Sequence, residues 1–281
     1  MRKFYLLVLF TVLFAILVGC GKNEALVNGK ESKGTTEKKT VTLKIGASST
    51  PHAEILEFIK PKLEKEGVKL DIKIINDGIL TNEQTANGEL DANYFQHTPF
   101  LKQTNKDSSL NLVKVVGVHI EPFGVYSKKI KSIDELPKGA KIAIPKDPVN
   151  FSRALQLFAA NGLIELNESS NTNKNYTVQD IKKNEKKLQF IPVDGPLLVR
   201  ALDDVEAAAI NTNNYALEAG LKPKKDALII EGDKSPYVYI LVARPDNKDS
   251  DAIQKLTKAL TSPEVKKFIE DKYDGAVVPA F

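Results

Sequence analysis

Val41-Thr42-Leu43-Lys44-Ile45 places an apolar side chain at every second position, and Val68-Lys69-Leu70-Asp71-Ile72-Lys73-Ile74 does so again. Alternation of period two marks a half-buried strand. Between the two stretches Ile55, Leu56, Ile59 and Leu63 recur at helical spacing, and Gly67 closes the segment. Ser48-Ser49-Thr50-Pro51 precedes that helix and predicts Thr50 as its N-cap, with Pro51 at the first helical position. Strand, helix and strand in this order favour a parallel sheet and an α/β fold.

The alternation continues outward. Further strands are predicted over 112–118, 123–127, 141–144, 189–193, 207–210 and 237–243, with helices beginning at Thr98-Pro99, Asn150, Thr177, Pro196 and Ser262-Pro263. No internal repeat is present. Two stretches read as crossings between lobes: Phe123-Gly124-Val125-Tyr126-Ser127, and the run from Tyr237 to Arg244. A chain that crosses twice forms two lobes with a hinge and a cleft. The expected division is 41–125 plus 240–281 for one lobe and 126–239 for the other.

The N-terminus has a different composition. Arg2-Lys3 leads into an almost unbroken apolar run from Phe4 to Val18, ending in Leu17-Val18-Gly19-Cys20. Fifteen such residues are short for a bilayer span of about 20 and fit a secretory signal core. A small residue before the lone Cys matches a bacterial lipobox. Residues 1–19 are therefore expected to be removed, leaving Cys20 as a lipidated, fatty-acylated N-terminus held on the extracytoplasmic face of the cell membrane. An uncleaved anchor helix with a chance Cys is the alternative. Residues 20–40, poor in apolar side chains, read as a flexible tether.

The chain has 281 residues, 40 Lys+Arg against 36 Asp+Glu, and a net charge of +4. Without Arg2 and Lys3 the body carries 38 basic and 36 acidic residues, a net +2. No basic stripe with interleaved aromatics suggests nucleic acid. A single Cys excludes an internal disulfide and any multi-thiolate metal site.

Three clusters carry candidate binding chemistry. Asp91-Ala92-Asn93-Tyr94-Phe95-Gln96-His97-Thr98-Pro99-Phe100 sets aromatics, an amide and an imidazole before a helix N-terminus, the ingredients of an apolar pocket with few polar anchors. Tyr94 and Phe95 as core and His97 as a satisfied turn residue is the plainer reading. Ile144-Pro145-Lys146-Asp147-Pro148-Val149-Asn150-Phe151-Ser152-Arg153 puts Arg153 in a first helical turn. A cation there opposes the helix dipole and suits a carboxylate partner; a surface Arg paired with Asp147 is the alternative. Ala209-Ile210-Asn211-Thr212-Asn213-Asn214-Tyr215 ends a strand in three amides, which suit a zwitterion or simply a turn.

Catalytic patterns are missing. There is no nucleophile elbow and no Gly-rich phosphate loop, so no enzyme activity and no cofactor are expected. His52, His97 and His119 are scattered without ligand spacing, and no metal is expected. Binding is the expected role.

In order along the chain, Asp91-Ala92-Asn93-Tyr94-Phe95-Gln96-His97, Gly124-Val125-Tyr126-Ser127-Lys128-Lys129-Ile130, Lys131-Ser132-Ile133-Asp134-Glu135-Leu136, Pro145-Lys146-Asp147-Pro148-Val149-Asn150, Arg153-Ala154-Leu155, Ile210-Asn211-Thr212, Ser235-Pro236-Tyr237 and Gly275-Ala276-Val277 resemble the NlpA-type methionine-binding lipoproteins. That resemblance implies a two-lobed periplasmic-binding-protein fold, with two chain crossings at the hinge, closing on a free amino acid. It implies that Arg153 grips the substrate carboxylate and that Asn211, with Asn213 beside it, holds the polar end. Phe95 and His97 would line the cleft with Tyr94 near, and Asn150 would support the Arg153 loop. The implied partners are an ABC permease and its ATPase, with the protein itself a monomer. An adhesin or surface interaction protein that has lost transport is the rival role.

Three positions depart from the family pattern. Asn76-Asp77-Gly78 stands for Asn-Asp-Tyr, Tyr237-Val238-Tyr239 ends in Tyr where Asn is usual, and Asn213-Asn214-Tyr215 carries one extra residue. The expectation is that Tyr239 joins the pocket and partly refills the space at Gly78. Methionine, a methionyl dipeptide or another apolar amino acid then remain as ligands.

Overall fold

The computed structural model describes residues 40–171, 174–232 and 235–281; of residues 212–214 it describes the backbone alone. The expected signal segment, Cys20 and nearly all of the expected tether lie outside the described residues. Strands β1 (Val41–Ala47) and β2 (Val68–Ile74) pair in parallel, with helix α1 (Glu54–Lys65) between them. Leu43 and Ile45 of β1 and Ile55, Leu56, Ile59 and Leu63 of α1 are buried together in one core. Each such Leu or Ile stabilises by about 1.5–3 kcal/mol on full burial. The helix starts later than Thr50. That residue is extended (φ −117°, ψ 132°) and its hydroxyl donates to the Glu54 side chain at 3.1 Å, so the α-helix begins at Glu54.

Helix α2 (Gly78–Asn87), strand β3 (Ala92–His97), helix α3 (Thr98–Asp107) and strand β4 (Val113–Ile120) follow. The chain then changes sheet. Strands β5 (Phe123–Tyr126) and β6 (Lys141–Pro145) come next, then helix α4 (Pro148–Ala160). A small hairpin of β7 (Glu165–Leu166) and β8 (Ile181–Lys183) leads to β9 (Gln189–Val193) and the short helix α5 (Leu198–Ala201). Strand β10 (Ala207–Asn211), helix α6 (Pro223–Asp226) and strand β11 (Ile229–Ile230) complete this part. Strand β12 (Val238–Ala243), helices α7 (Asp251–Leu260) and α8 (Pro263–Tyr273), and strand β13 (Val278–Pro279) belong to the first part again.

The result is two lobes. The first holds a six-stranded sheet in the order β13-β4-β12-β3-β1-β2, the second a five-stranded sheet in the order β11-β5-β10-β6-β9. In the first, β12 runs antiparallel between β3 and β4. In the second, β6 lies parallel to both β9 and β10. Alternate residues of β6 feed opposite faces: Ile142 and Ile144 pack with α4, and Ala143 packs with Leu198 of α5. Phe123 already pairs in the second sheet and Val238 in the first. The crossings therefore occupy 121–122 and 231–237, slightly ahead of the expected positions.

Three helix starts also differ. The helix foreseen at Asn150 begins at Pro148, with Asp147 as N-cap. The one foreseen at Thr177 is a single 3-10 turn over Val178–Asp180: a capping box starts it, but the next residues leave it to pair with β7. From Pro196 only a 3-10 turn and the four residues of α5 form. Among the described residues no helix is long and apolar enough to cross a membrane.

Candidate binding cleft

A cavity of about 280 Å³ opens where the strand ends of the two lobes face each other. Ser48 follows β1, Ile75 and Asn76 follow β2, and Phe95 to His97 end β3. From the other lobe Pro145 ends β6, Asn211 ends β10, and Gly195 and Pro196 lie just beyond β9. Each parallel strand thus meets the cavity with its carboxyl end, the usual position of ligand sites in open α/β sheets. Ser48, Ile75 and Gly195 were not foreseen from sequence; their places just past predicted strands were the available signal. Phe100, Leu198, Tyr215 and Glu218 also line the cavity; Phe100 and Tyr215 stand at the ends of the candidate clusters without having been singled out, and Leu198 and Glu218 were missed.

A chain of hydrogen bonds bridges the cleft. The Phe100 N–H donates to His97 Nδ1 at 3.2 Å, and His97 Nε2 meets Asn150 Oδ1 at 3.1 Å. With Nδ1 accepting, the imidazole is neutral and its proton sits on Nε2. Asn150 in turn donates through Nδ2 to both Asp147 carboxylate oxygens, at 3.2 and 3.1 Å, while its N–H donates to Oδ1 at 2.9 Å. Further side-chain pairs join the lobes: Asn175 donates to Gln103 at 2.9 Å, the Ser49 hydroxyl donates to Glu218, and Lys224 reaches Asp274 at 4.0 Å. Burial first, and the Arg153 charge second, hold the His97 pKa down at about 3. Burial raises the Asp147 carboxyl, and pushes the Tyr215 phenol up to about 12.

Arg153 is neither a surface residue nor the partner of Asp147. It is 1% exposed, and Glu231 takes it bidentately, from Nε at 2.7 Å and from Nη2 at 2.5 Å. Nη2 also donates to the Glu121 carbonyl at 2.8 Å, and the guanidinium lies 4.2 Å from the Tyr237 ring centroid and 5.1 Å from that of Phe123. Glu121 lies in the first crossing, with Phe123 just beyond it, and Glu231 and Tyr237 lie in the second, so Arg153 pins the hinge. Its Nη1 is buried without a hydrogen-bond partner. Arg153 does not line the cavity.

Phe95, His97, Asn150, Asn211 and Tyr239 all line the cavity. Asn211 keeps its Oδ1 buried with no hydrogen-bond partner. Tyr94 does not line it; the ring lies in the first lobe's core and its hydroxyl meets His119 Nδ1 at 2.5 Å. The Asn213 side chain and Cys20 lie outside the described residues. The space at Gly78 is taken by aromatics other than Tyr239. A Cβ there would meet Phe95 Cε2 at 2.8 Å and Phe100 Cζ at 3.2 Å. Tyr239 stacks instead on His119, with ring centroids 5.1 Å apart, and stands edge-on to His97. Sequence spacing left the histidines scattered, yet the fold brings His52 and His119 together with Glu121, a donor set able to hold a metal ion.

The NlpA lipoprotein family model matches residues 43–281. The methionine-binding lipoprotein MetQ of Bacillus subtilis (strain 168) is 39% identical over 282 residues, covering 99% of each chain. A nutrient binding protein from Burkholderia cenocepacia, solved bound to methionine, superposes with a TM-score of 0.82 at 42% identity, covering 85% of this chain and 100% of that one. An ABC transporter periplasmic substrate-binding protein from Coxiella burnetii gives 0.80 at 38% identity, with coverage of 85% and 100%. A match across nearly all of the described body, on this two-lobed frame, establishes that the chain belongs to the NlpA lipoprotein family.

Proposed function

We propose that this chain is a solute-binding lipoprotein, anchored through lipid at Cys20 on the extracytoplasmic face of the membrane. It captures methionine, or a close relative such as the D-enantiomer or a methionyl dipeptide, and delivers it as a monomer to an ABC permease driven by a separate ATPase. No chemistry is done on the ligand. The names and bound ligand of the relatives support methionine. The observation that carries the reading is a cavity built from the strand ends of both lobes and lined by Asn211, whose buried acceptor is unpartnered; Arg153, outside that lining, keeps an unpartnered buried donor. An amino acid's ammonium and carboxylate complement that pair.

In this reading the lobes meet across the hinge and both contact the solute, so binding favours the closed form through differential affinity. Phe95, Phe100 and Ile75 offer the apolar wall, and His97 with Asn150 latches the two lobes. Arg153 Nη1, outside the cavity lining, takes the carboxylate when the lobes close on it, Asn211 holds the amine, and Tyr239 fills space where the family pattern has an amide.

Calorimetric titration of ligand-stripped protein with L-methionine, D-methionine, glycyl-methionine and leucine tests the assignment. One-to-one binding of a methionine compound is expected, and no heat from any of them overturns it. Arg153→Ala is expected to lose about 1.5–3 kcal/mol, roughly ten- to 150-fold in affinity. Removing one member of this largely buried ion pair also costs stability, about 3–5 kcal/mol. The titration is therefore run well below that variant's own melting temperature. Unchanged affinity would place the carboxylate elsewhere.

A further inference from the structure

Three metal-ligating groups converge outside the proposed solute contacts. His119 and Glu121 are two residues apart at the end of β4, and His52 lies in the turn before α1. His119 Nε2 is 2.9 Å from Glu121 Oε1, and His52 Nε2 is 3.3 Å from the same oxygen. All three side chains are fully buried. The outer nitrogen of each imidazole is occupied by a hydroxyl: His52 Nδ1 meets Ser48 Oγ at 2.7 Å, and His119 Nδ1 meets Tyr94 at 2.5 Å. Both Nε2 atoms are thereby turned toward the carboxylate. Yet His52 Nε2 and Glu121 Oε2 have no well-formed hydrogen bond, although the Tyr239 hydroxyl stands close enough to the Glu121 carboxylate to interact with it.

We propose that His52, His119 and Glu121 form a binding site for one divalent transition-metal ion, with zinc the best match. Bonds of about 2.0–2.1 Å to nitrogen and oxygen put neighbouring ligand atoms of a tetrahedron about 3.3 Å apart. The His52–Glu121 separation of 3.3 Å matches, and the His119–Glu121 separation of 2.9 Å is shorter. All three ligand atoms lie within 4.8 Å of one another, so the side chains must shift a little to take an ion. A hydrogen bond to the outer ring nitrogen orients a metal-bound imidazole, a role that usually falls to a carboxylate, carbonyl or water and here falls to the Ser48 and Tyr94 hydroxyls. Two nitrogens and one carboxylate suit zinc or cobalt rather than calcium or magnesium, which call for oxygen. A single shared proton satisfies His119 and Glu121 but leaves the His52 contact bent; a +2 ion satisfies all three donors and neutralises the buried carboxylate.

The ion would tie the start of α1 to the end of β4. Glu121 also gives its carbonyl to Arg153 at the first crossing, and Ser48 and Tyr239, both against the triad, line the cavity. The site therefore stands one side chain behind the cleft and against the hinge. Three protein ligands leave a fourth position open.

The test uses tag-free full-length protein in detergent, treated with chelator and titrated with Co²⁺. One Co²⁺ per chain is expected, with visible d–d bands that one equivalent of Zn²⁺ abolishes. His52→Gln, His119→Gln and Glu121→Gln should each weaken metal binding tenfold or more and remove the rise in melting temperature that Zn²⁺ gives the parent. A parent protein without cobalt bands overturns the proposal whatever the variants do, and is the result for a triad that holds only a proton. Bands that persist unchanged in all three folded variants overturn it equally. Neither result depends on which solute the cleft takes.

Discussion

Neutral His97 is a consequence of where its two nitrogens lie. Nδ1 caps α3 by accepting the Phe100 N–H, and Nε2 donates across the cleft to Asn150. A second proton would face the Phe100 N–H and sit near the Arg153 charge, inside the protein. The folded pKa of about 3 stands against an ordinary 6.5, so between those values the unfolded chain binds the proton and the folded chain does not. Stability from this group is present above about pH 6.5 and declines as pH falls toward 3, by about 2 kcal/mol at pH 5. Denaturant melts near pH 7 and near pH 5 should show a smaller acid loss in His97→Gln than in the parent; equal losses would disprove the linkage. Position 97 was legible as a candidate from residue type alone. Its role as a latch was not, because Asn150 is 53 residues away and only the fold joins them. The same holds for Gly78, where the chain shows a missing ring but not that Phe95 and Phe100 close on the gap.

At the scale of elements, the strand–helix–strand opening was readable because its apolar periodicity is clean. Strand β3 was not, although it sits in the middle of the first sheet. It is buried on both faces, so alternation is absent, and its Asn93 and Gln96 look like loop residues. The fold satisfies them sideways: Asn82, Thr85, Asn93 and Gln96 form one buried amide network at 2.6–3.1 Å. Helix α2 was invisible for the complementary reason, since its buried face is Thr81, Asn82 and Thr85 rather than Leu or Ile. A polar helix packed on a polar strand carries no hydrophobic signal. Helix α4 shows how a cap can serve a site. Asp147 accepts from the Asn150 N–H and its side chain together, which fixes Asn150 for the His97 bridge. Asp147→Ala is expected to lose about 1–2 kcal/mol of stability in urea melts and to weaken solute binding. Asp147→Asn, which keeps an acceptor oxygen, should lose clearly less, and identical losses in the two variants would rule out the capping account.

For the whole molecule, a two-lobed architecture with two crossings was foreseen, and the sheets bear out that architecture. What stayed hidden was strand order, since sequence periodicity carries no information about which strands become neighbours. Strand β12, from residues 238–243, lies between β3 and β4. The second sheet needs nothing outside 123–230. A fragment of residues 122–232 is therefore expected to unfold cooperatively in circular dichroism melts, while a chain ending at 232 should show only that one transition. A second transition from the shortened chain would contradict the topology. Time adds a further consequence. A polypeptide that emerges N-terminus first exposes β1 to β4 long before their middle strand arrives, so the lobe that comes first in the sequence is the last to fold. Until residue 243 has emerged, β3 and β4 present unpaired edges to whatever surrounds them.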